Sequence, residues 1–183
     1  MAVLINGRDL TIEEVIRVCR EDEEVKLAEE AVAAVNKARA YIEKKLKEKA
    51  VIYGLTTGFG KFSNVVISPE ETEKLQRNLI ISHTCTMGNH YPRHYVRAAM
   101  LLRCNALARG NSGIRLETLQ TLIDMINKGV HPVIPEKGSL GASGDLAPLS
   151  HIALGLIGEG EVEYKGQIMP AAEAMKKAGI RPV

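Results

Sequence analysis

Residues Gly138 to Leu149, GSLGASGDLAPL, constrain the fold of this chain more than any other segment. The small residues give way to Asp145-Leu146-Ala147-Pro148, a helix start with proline in an early position, and Leu149 to Ile157 is almost wholly apolar. The segment therefore reads as a tightly bent loop feeding the N-terminus of a buried helix. At its centre, Ala142-Ser143-Gly144 sets a serine between two small residues. The amide nitrogen of Gly144 can attack the carbonyl of Ala142 where the loop is bent and the flanking side chains leave room. Loss of two waters then gives a methylidene-imidazolone, an electrophile made from backbone atoms. Unpaired N–H groups and the positive dipole end of the following helix would stabilise negative charge building on the ring oxygen. Left unreacted, the same tripeptide is a helix-entry turn.

The rest of the chain reads as one mainly α domain over residues 1–183 with small β pieces, long enough to bury its own core. VLINGRDLT alternates briefly and turns at Asn6-Gly7, which predicts a short strand pair ahead of the first helix. Thr11 and Glu14 form a capping-box signature for that helix. Val25, Ala28, Val32, Val35, Ala38, Ile42 and Leu46 recur at helical spacing and predict a second helix from Glu23 to Ala50, its Lys and Glu face solvated. Periodicity then stops, and Gly54, Gly58 and Gly60 mark a bendable loop. Ser68-Pro69 starts a helix to about His83, and Gly88 and Pro92 bound the next loop. Helices are predicted from Arg93 to Arg109 and from Arg115 to Lys128, ended by Gly110 and Gly129. Pro132 and Pro135 stiffen the approach to the Ala-Ser-Gly loop. EVEYKGQIM reads as a hairpin turning near Lys165-Gly166, and Pro170 to Lys177 as a short last helix ended by Gly179.

Composition narrows the function classes. With 24 basic and 22 acidic residues, 2 Phe, 5 Tyr and no Trp, nothing points to nucleic acid or a membrane surface. MAVLINGRDL lacks a basic region followed by a long apolar core, and no apolar run approaches bilayer length, so a cytoplasmic location is the expectation. Cys19, Cys85 and Cys104 lack metal or redox spacing and read as free thiols, two of them on helices. His90 and His94 have i, i+4 spacing with Pro92 between them, which argues against a metal site. LTTGFGKF has Phe62 where a phosphate-binding loop needs Ser or Thr. Asp145 stands where a hydrolase nucleophile elbow needs glycine. Arg103, Asn105, Arg109 and Arg115 receive no specific role.

Four segments occur in a telling order: YGLTTGFG (Tyr53 to Gly60), NLIISHTCTMG (Asn78 to Gly88), RCNALARGNSGIR (Arg103 to Arg115) and PVIPEKGSLGASGDLAPLSH (Pro132 to His151). In these the chain resembles the histidine and aromatic amino-acid ammonia-lyases over nearly all its length, and the histidine branch in particular. The resemblance implies the N-terminal domain of the ammonia-lyase fold, mainly α with short β-hairpins and a glycine-rich active-site loop. It further implies a protein-derived methylidene-imidazolone from Ala142, Ser143 and Gly144, with no soluble cofactor and no metal. The chain corresponds to the N-terminal portion of the family pattern, without its C-terminal helical core, so it is expected to be inactive without that part. The implied partners are an amino-acid substrate and either further copies of the chain or a complementary C-terminal lyase chain; an exposed apolar patch favours a non-monomer.

The family likeness also assigns roles. Elimination of ammonia needs an electrophile that no ordinary side chain supplies, and the ring from Ser143 accepts the substrate amine. Tyr53 matches the catalytic tyrosine, a base only where neighbouring charge or donors favour the phenolate, while Gly54, Gly58 and Gly60 let the loop close over substrate. Without the resemblance, Tyr53 is a partly buried tyrosine at a loop mouth. His83, in Ser82-His83, occupies the selectivity position and can exchange a hydrogen bond with an imidazole substrate; alone it would be a helix cap or core residue. The functional expectation is conversion of histidine to urocanate and ammonia. The alternatives are a tyrosine or phenylalanine ammonia-lyase or aminomutase, or a truncated non-catalytic homologue acting in assembly.

Overall fold

A computed structural model describes residues 2–58, 60–62, 65–142 and 146–183. Thr11 opens the first helix, α1 (Ile12–Arg20): its hydroxyl accepts from Glu14 N at 3.2 Å, and the Glu14 carboxylate accepts from Thr11 N at 2.9 Å. This is the reciprocal capping box that the sequence predicts. Strands β1 (Val3–Ile5) and β2 (Val25–Leu27) lie on either side of α1 in sequence and pair in parallel, Val3 opposite Val25.

The parallel pair corrects two expectations. Asn6-Gly7 turns no hairpin; the Asn6 carboxamide oxygen accepts from the N–H groups of Arg8 and Asp9 at 2.9 and 3.1 Å and directs the chain toward α1. The helix expected from Glu23 begins later, as α2 (Glu29–Lys47), because Val25 and Leu27 are taken into β2. Val25 is fully buried, and the Asn127 side chain accepts from its N–H and donates to its carbonyl, both at 2.9 Å. Backbone pairing on both sides overrides the helical spacing of the apolar residues.

A 3₁₀ turn at Gly60–Phe62 precedes α3 (Pro69–Ser82), capped by the Ser68 hydroxyl, which accepts from Glu71 N at 3.3 Å. Next come β3 (Met87–His90), α4 (Arg93–Ala108), α5 (Leu116–Asn127), β4 (Val130–Pro132) and β5 (Pro135–Lys137). The last elements are α6 (Leu146–Leu156), β6 (Glu161–Tyr164), β7 (Gln167–Pro170) and α7 (Ala171–Lys177). The stretch between Gly88 and Pro92, expected as loop, contributes to β3, which pairs antiparallel with β5. Pro132 and Pro135 accordingly sit in strands, Pro135 at a strand start where its missing N–H is tolerated. The β6–β7 hairpin turns at Lys165-Gly166, both at positive φ (52° and 76°), as a two-residue type I′ connection requires. β4 completes that antiparallel sheet against β6.

The core lies between α4 and α5, where Met100, Leu101, Cys104, Leu119, Ile123 and Ile126 are fully buried. Cys19 and Cys104 are buried free thiols on α1 and α4, Cys85 is exposed, and burial pushes the Cys104 thiol up. Arg97, 2% exposed, donates from Nε and Nη2 to the Val18 carbonyl at 3.0 and 2.8 Å, and from Nη1 to the Ile126 carbonyl at 2.7 Å and to His131 Nε2 at 2.9 Å. A guanidinium only donates, so His131 accepts at Nε2 and holds its proton on Nδ1, which has no partner among the described residues.

Burial, reinforced by the charges of Arg97 and Arg93, pushes the His131 pKa down to about 3. The unfolded chain takes up that proton near pH 6.5, so it binds more protons than the folded state between those values. The contribution of neutral His131 is complete above about pH 6.5 and is lost as pH falls, by up to about 1.4 kcal/mol per pH unit. The urea midpoint should therefore drop between pH 7 and pH 5, and His131→Gln, which keeps an acceptor for Arg97, should flatten the drop.

Candidate active site

The loop between α2 and α3 is held by two threonines as much as it is shaped by its glycines. The Thr56 hydroxyl accepts from Ile52 N at 2.8 Å and donates to the Ala50 carbonyl at 3.1 Å. Thr57, fully buried, accepts from Gly54 N at 3.2 Å and donates to the Gly58 carbonyl at 3.0 Å, and it bridges to Val66. Gly54 and Gly60 adopt positive φ, whereas Gly58 is buried with its N–H bonded to the Val65 carbonyl at 3.1 Å. Tyr53 stands 63% exposed at the start of this loop, and its hydroxyl oxygen accepts from Gly60 N at 3.3 Å. Gln76 of α3 donates to the Gly54 carbonyl at 3.4 Å and fastens the loop to that helix.

His83 is the C-cap of α3 and half-buried. Its Nδ1 lies 2.9 Å from the Leu79 carbonyl and 3.1 Å from the Ser82 hydroxyl. A carbonyl oxygen only accepts, so Nδ1 carries the proton and, in the neutral ring, Nε2 keeps its lone pair. Capping of α3 thus uses one nitrogen of the ring and leaves the other.

The segment after His83 runs into β3, and the segment before Ala142 runs out of β5. Met87 pairs with Lys137, so Thr86 and Gly138 are the next residues on either side. A Cβ on Gly138 would lie 2.5 Å from the Thr86 methyl carbon and 3.2 Å from the Cys85 carbonyl oxygen, leaving room for glycine alone. Thr86 Oγ1 is 2.7 Å from Nε2 of His151, in the second turn of α6. Burial shifts the His151 pKa downward. α3 also packs on α6, and just past the C-terminal end of α6 Glu159 forms a bidentate pair with Arg77 of α3 at 2.6 and 3.0 Å.

Tyr53, His83 and the root of the Ala-Ser-Gly loop are thus attached to one scaffold of α3, the β3–β5 ribbon and α6. Ala142 is exposed, while Ser143 and Gly144 lie outside the described residues; α6 begins at Leu146, with Pro148 in its first turn as the sequence predicts. The sequence reading assigned no role to Thr56, Thr57, Thr86, Gln76 or His151. The placement of Thr86 and His151 side by side depends on a strand register with no local signature.

A cleft of about 1280 Å³ opens between α2, α3, α4, α5 and α6, lined by residues including Leu46, Val51, Ile80, Leu107 and Leu149. Gly54, Thr56 and Gln76 line it as well, whereas Tyr53, His83 and Ala142 do not. Among the described residues, no cluster of three His, Cys, Asp or Glu is placed to hold a metal ion, and no helix is long and apolar enough to cross a membrane.

Residues 10–183 match the family model described as aromatic amino acid lyase, and the chain belongs to that family. It is similar to the histidine ammonia-lyase of Alkaliphilus oremlandii, with 61% identity over 181 residues, covering 99% of this chain and 36% of that protein. Among solved structures it superposes on ergothionase from Treponema denticola with a TM-score of 0.95 and 36% identity, covering all of this chain and 37% of the other. It superposes on the phenylalanine aminomutase of Pantoea agglomerans with a TM-score of 0.93 and 38% identity, covering all of this chain and 35% of the other. The chain spans little more than a third of the length of the curated relatives it matches.

Gly138→Ala should lower stability by about 1–3 kcal/mol, the ordinary cost of overpacking, read as a shift in the urea midpoint. Thr86→Ser in the same chain should recover part of that loss, because it removes the clashing methyl and keeps the hydroxyl that meets His151.

Proposed function

We propose that this chain supplies the N-terminal part of a histidine ammonia-lyase, which eliminates ammonia from L-histidine to give urocanate. The observation that carries the reading is the His83 ring: Nδ1 is satisfied within α3, and Nε2 remains to accept from the N–H of an imidazole side chain. The 61% identity to a histidine ammonia-lyase supports the same substrate.

The residues present fit a methylidene-imidazolone at Ala142-Ser143-Gly144. Gly141 has positive φ with open space where a Cβ would stand, and Ala142 is exposed, so neither obstructs a bend. When formed, the group supplies an electrophile for the substrate amine, which makes ammonia a better leaving group. Tyr53 is the proposed base for the β-proton, its oxygen held by the Gly60 N–H at 3.3 Å. The Thr56 and Thr57 anchors fix the loop base, while Gly54 and Gly60 provide the backbone freedom to close over substrate. His83 orients the imidazole.

Activity is proposed for the assembled enzyme, with the remaining length of the family supplied in the same or a second polypeptide, and association of copies would cover exposed apolar side chains such as Val51 and Val66. The cytoplasm is the proposed location. The intact mass of the purified chain should be lower by about 36 Da, two waters, and Ser143→Ala should restore the full mass. In the assembled enzyme, Tyr53→Phe should cut urocanate formation at least about a hundredfold, the usual scale for losing a general base. His83→Leu should raise KM for histidine. A correctly dehydrated, assembled enzyme with no turnover of histidine would overturn the substrate assignment.

A further inference from the structure

Backbone cyclisation at Ala142-Ser143-Gly144 requires both limbs of the loop to be held, because reacting atoms must be kept about 3–3.5 Å apart and a misplacement near 1 Å can cost about a hundredfold in rate. The outgoing limb leads into α6. The incoming limb, Gly138 to Ala142, has little packing of its own: Leu140 is 94% exposed, Gly141 has open space around it and Ala142 is exposed. Its position is therefore fixed at its root. There Gly138 packs on the Thr86 methyl and the Cys85 carbonyl, and the Thr86 hydroxyl meets His151 Nε2 at 2.7 Å. The path Gly138 to Thr86 to His151 joins the incoming limb to α6, the element that follows the outgoing one.

We infer that His151 is a positioning residue for the self-processing of this loop, acting through Thr86 to hold the incoming limb in register with α6. The inference rests on the ring-forming function proposed above. In the step it serves, a bond forms between Gly144 N and the carbonyl carbon of Ala142. The Ala142 oxygen leaves as water with the two amide protons of Gly144 and Ser143. The Ser143 hydroxyl leaves as a second water with the Cα hydrogen. No oxidant or further reactant is needed.

The test compares intact masses of the purified chain with those of Thr86→Val, His151→Leu, His151→Gln, the double variant Thr86→Val/His151→Leu, and Arg77→Ala, each checked for a cooperative thermal transition. Arg77→Ala removes the tie at the other end of the helix pair and controls for general loosening. The expected result is a dehydrated parent, at least a tenfold lower dehydrated fraction in Thr86→Val and His151→Leu, and no further loss in the double variant. His151→Gln, which can still bond Thr86, should regain most of the fraction, and Arg77→Ala should match the parent. Thr86→Val is nearly isosteric and keeps the test valid if His151→Leu does not fold. A dehydrated parent with equally dehydrated Thr86→Val, or with Arg77→Ala as depleted as Thr86→Val, overturns the positioning role and leaves the ring-forming reading intact. A parent at full mass overturns both.

Discussion

The Arg97 guanidinium caps two helices at once, because Val18 and Ile126 lie in the last turns of α1 and α5; the Ile126 carbonyl also accepts from the backbone N–H of Gly129 at 3.3 Å. A cation at a helix C-terminus meets the negative end of the dipole, and here it meets two. Burying such a charge is costly unless every donor finds an acceptor. Val18, Ile126 and His131 provide those acceptors, with Asp22 3.4 Å away at the surface side. The arrangement fixes α1, α4, α5 and β4 relative to one another, and the apolar core fills in around it.

The candidate site is held by a different kind of interaction. Its anchors are hydrogen bonds from partly buried side chains: Gln76 to Gly54, Thr86 to His151, Thr56 to Ala50. None resembles the close-packed centre between α4 and α5. The site is thus a hydrogen-bonded rim carried on a rigid interior, a division that lets loops adapt while the elements beneath them stay fixed.

Local chemistry was legible wherever the residues that decide an element are neighbours in sequence. Thr11 with Glu14, Ser68 with Pro69, and Lys165-Gly166 each announced a cap or turn that the structure contains. The long-range pairings were not legible. Val25 belongs to a helical stripe by spacing and to a strand in fact, because its partners are Val3 and the side chain of Asn127. Met87 to His90 lacks the apolar alternation of a half-buried strand, since all four residues are exposed, and its pairing with β5 is a backbone matter. The candidate site divided the same way: Tyr53, His83 and the Ala-Ser-Gly segment are proposed from motifs, whereas the contact between Thr86 and His151 became visible only across the fold.

The Asn127 side chain has a consequence for how this protein is made. Its amide stands in for a neighbouring strand along the edge of β2, bonding both polar backbone groups of Val25 from a position 102 residues later. As the chain leaves the ribosome at about 5–20 residues per second, β1, α1 and β2 emerge well before the group that closes their open edge. For those seconds the edge has unpaired donors and acceptors of the kind that invites wrong partners. Productive folding of the first two strands therefore awaits synthesis of α5, and slower translation before Asn127 would lengthen the interval in which the nascent chain is vulnerable.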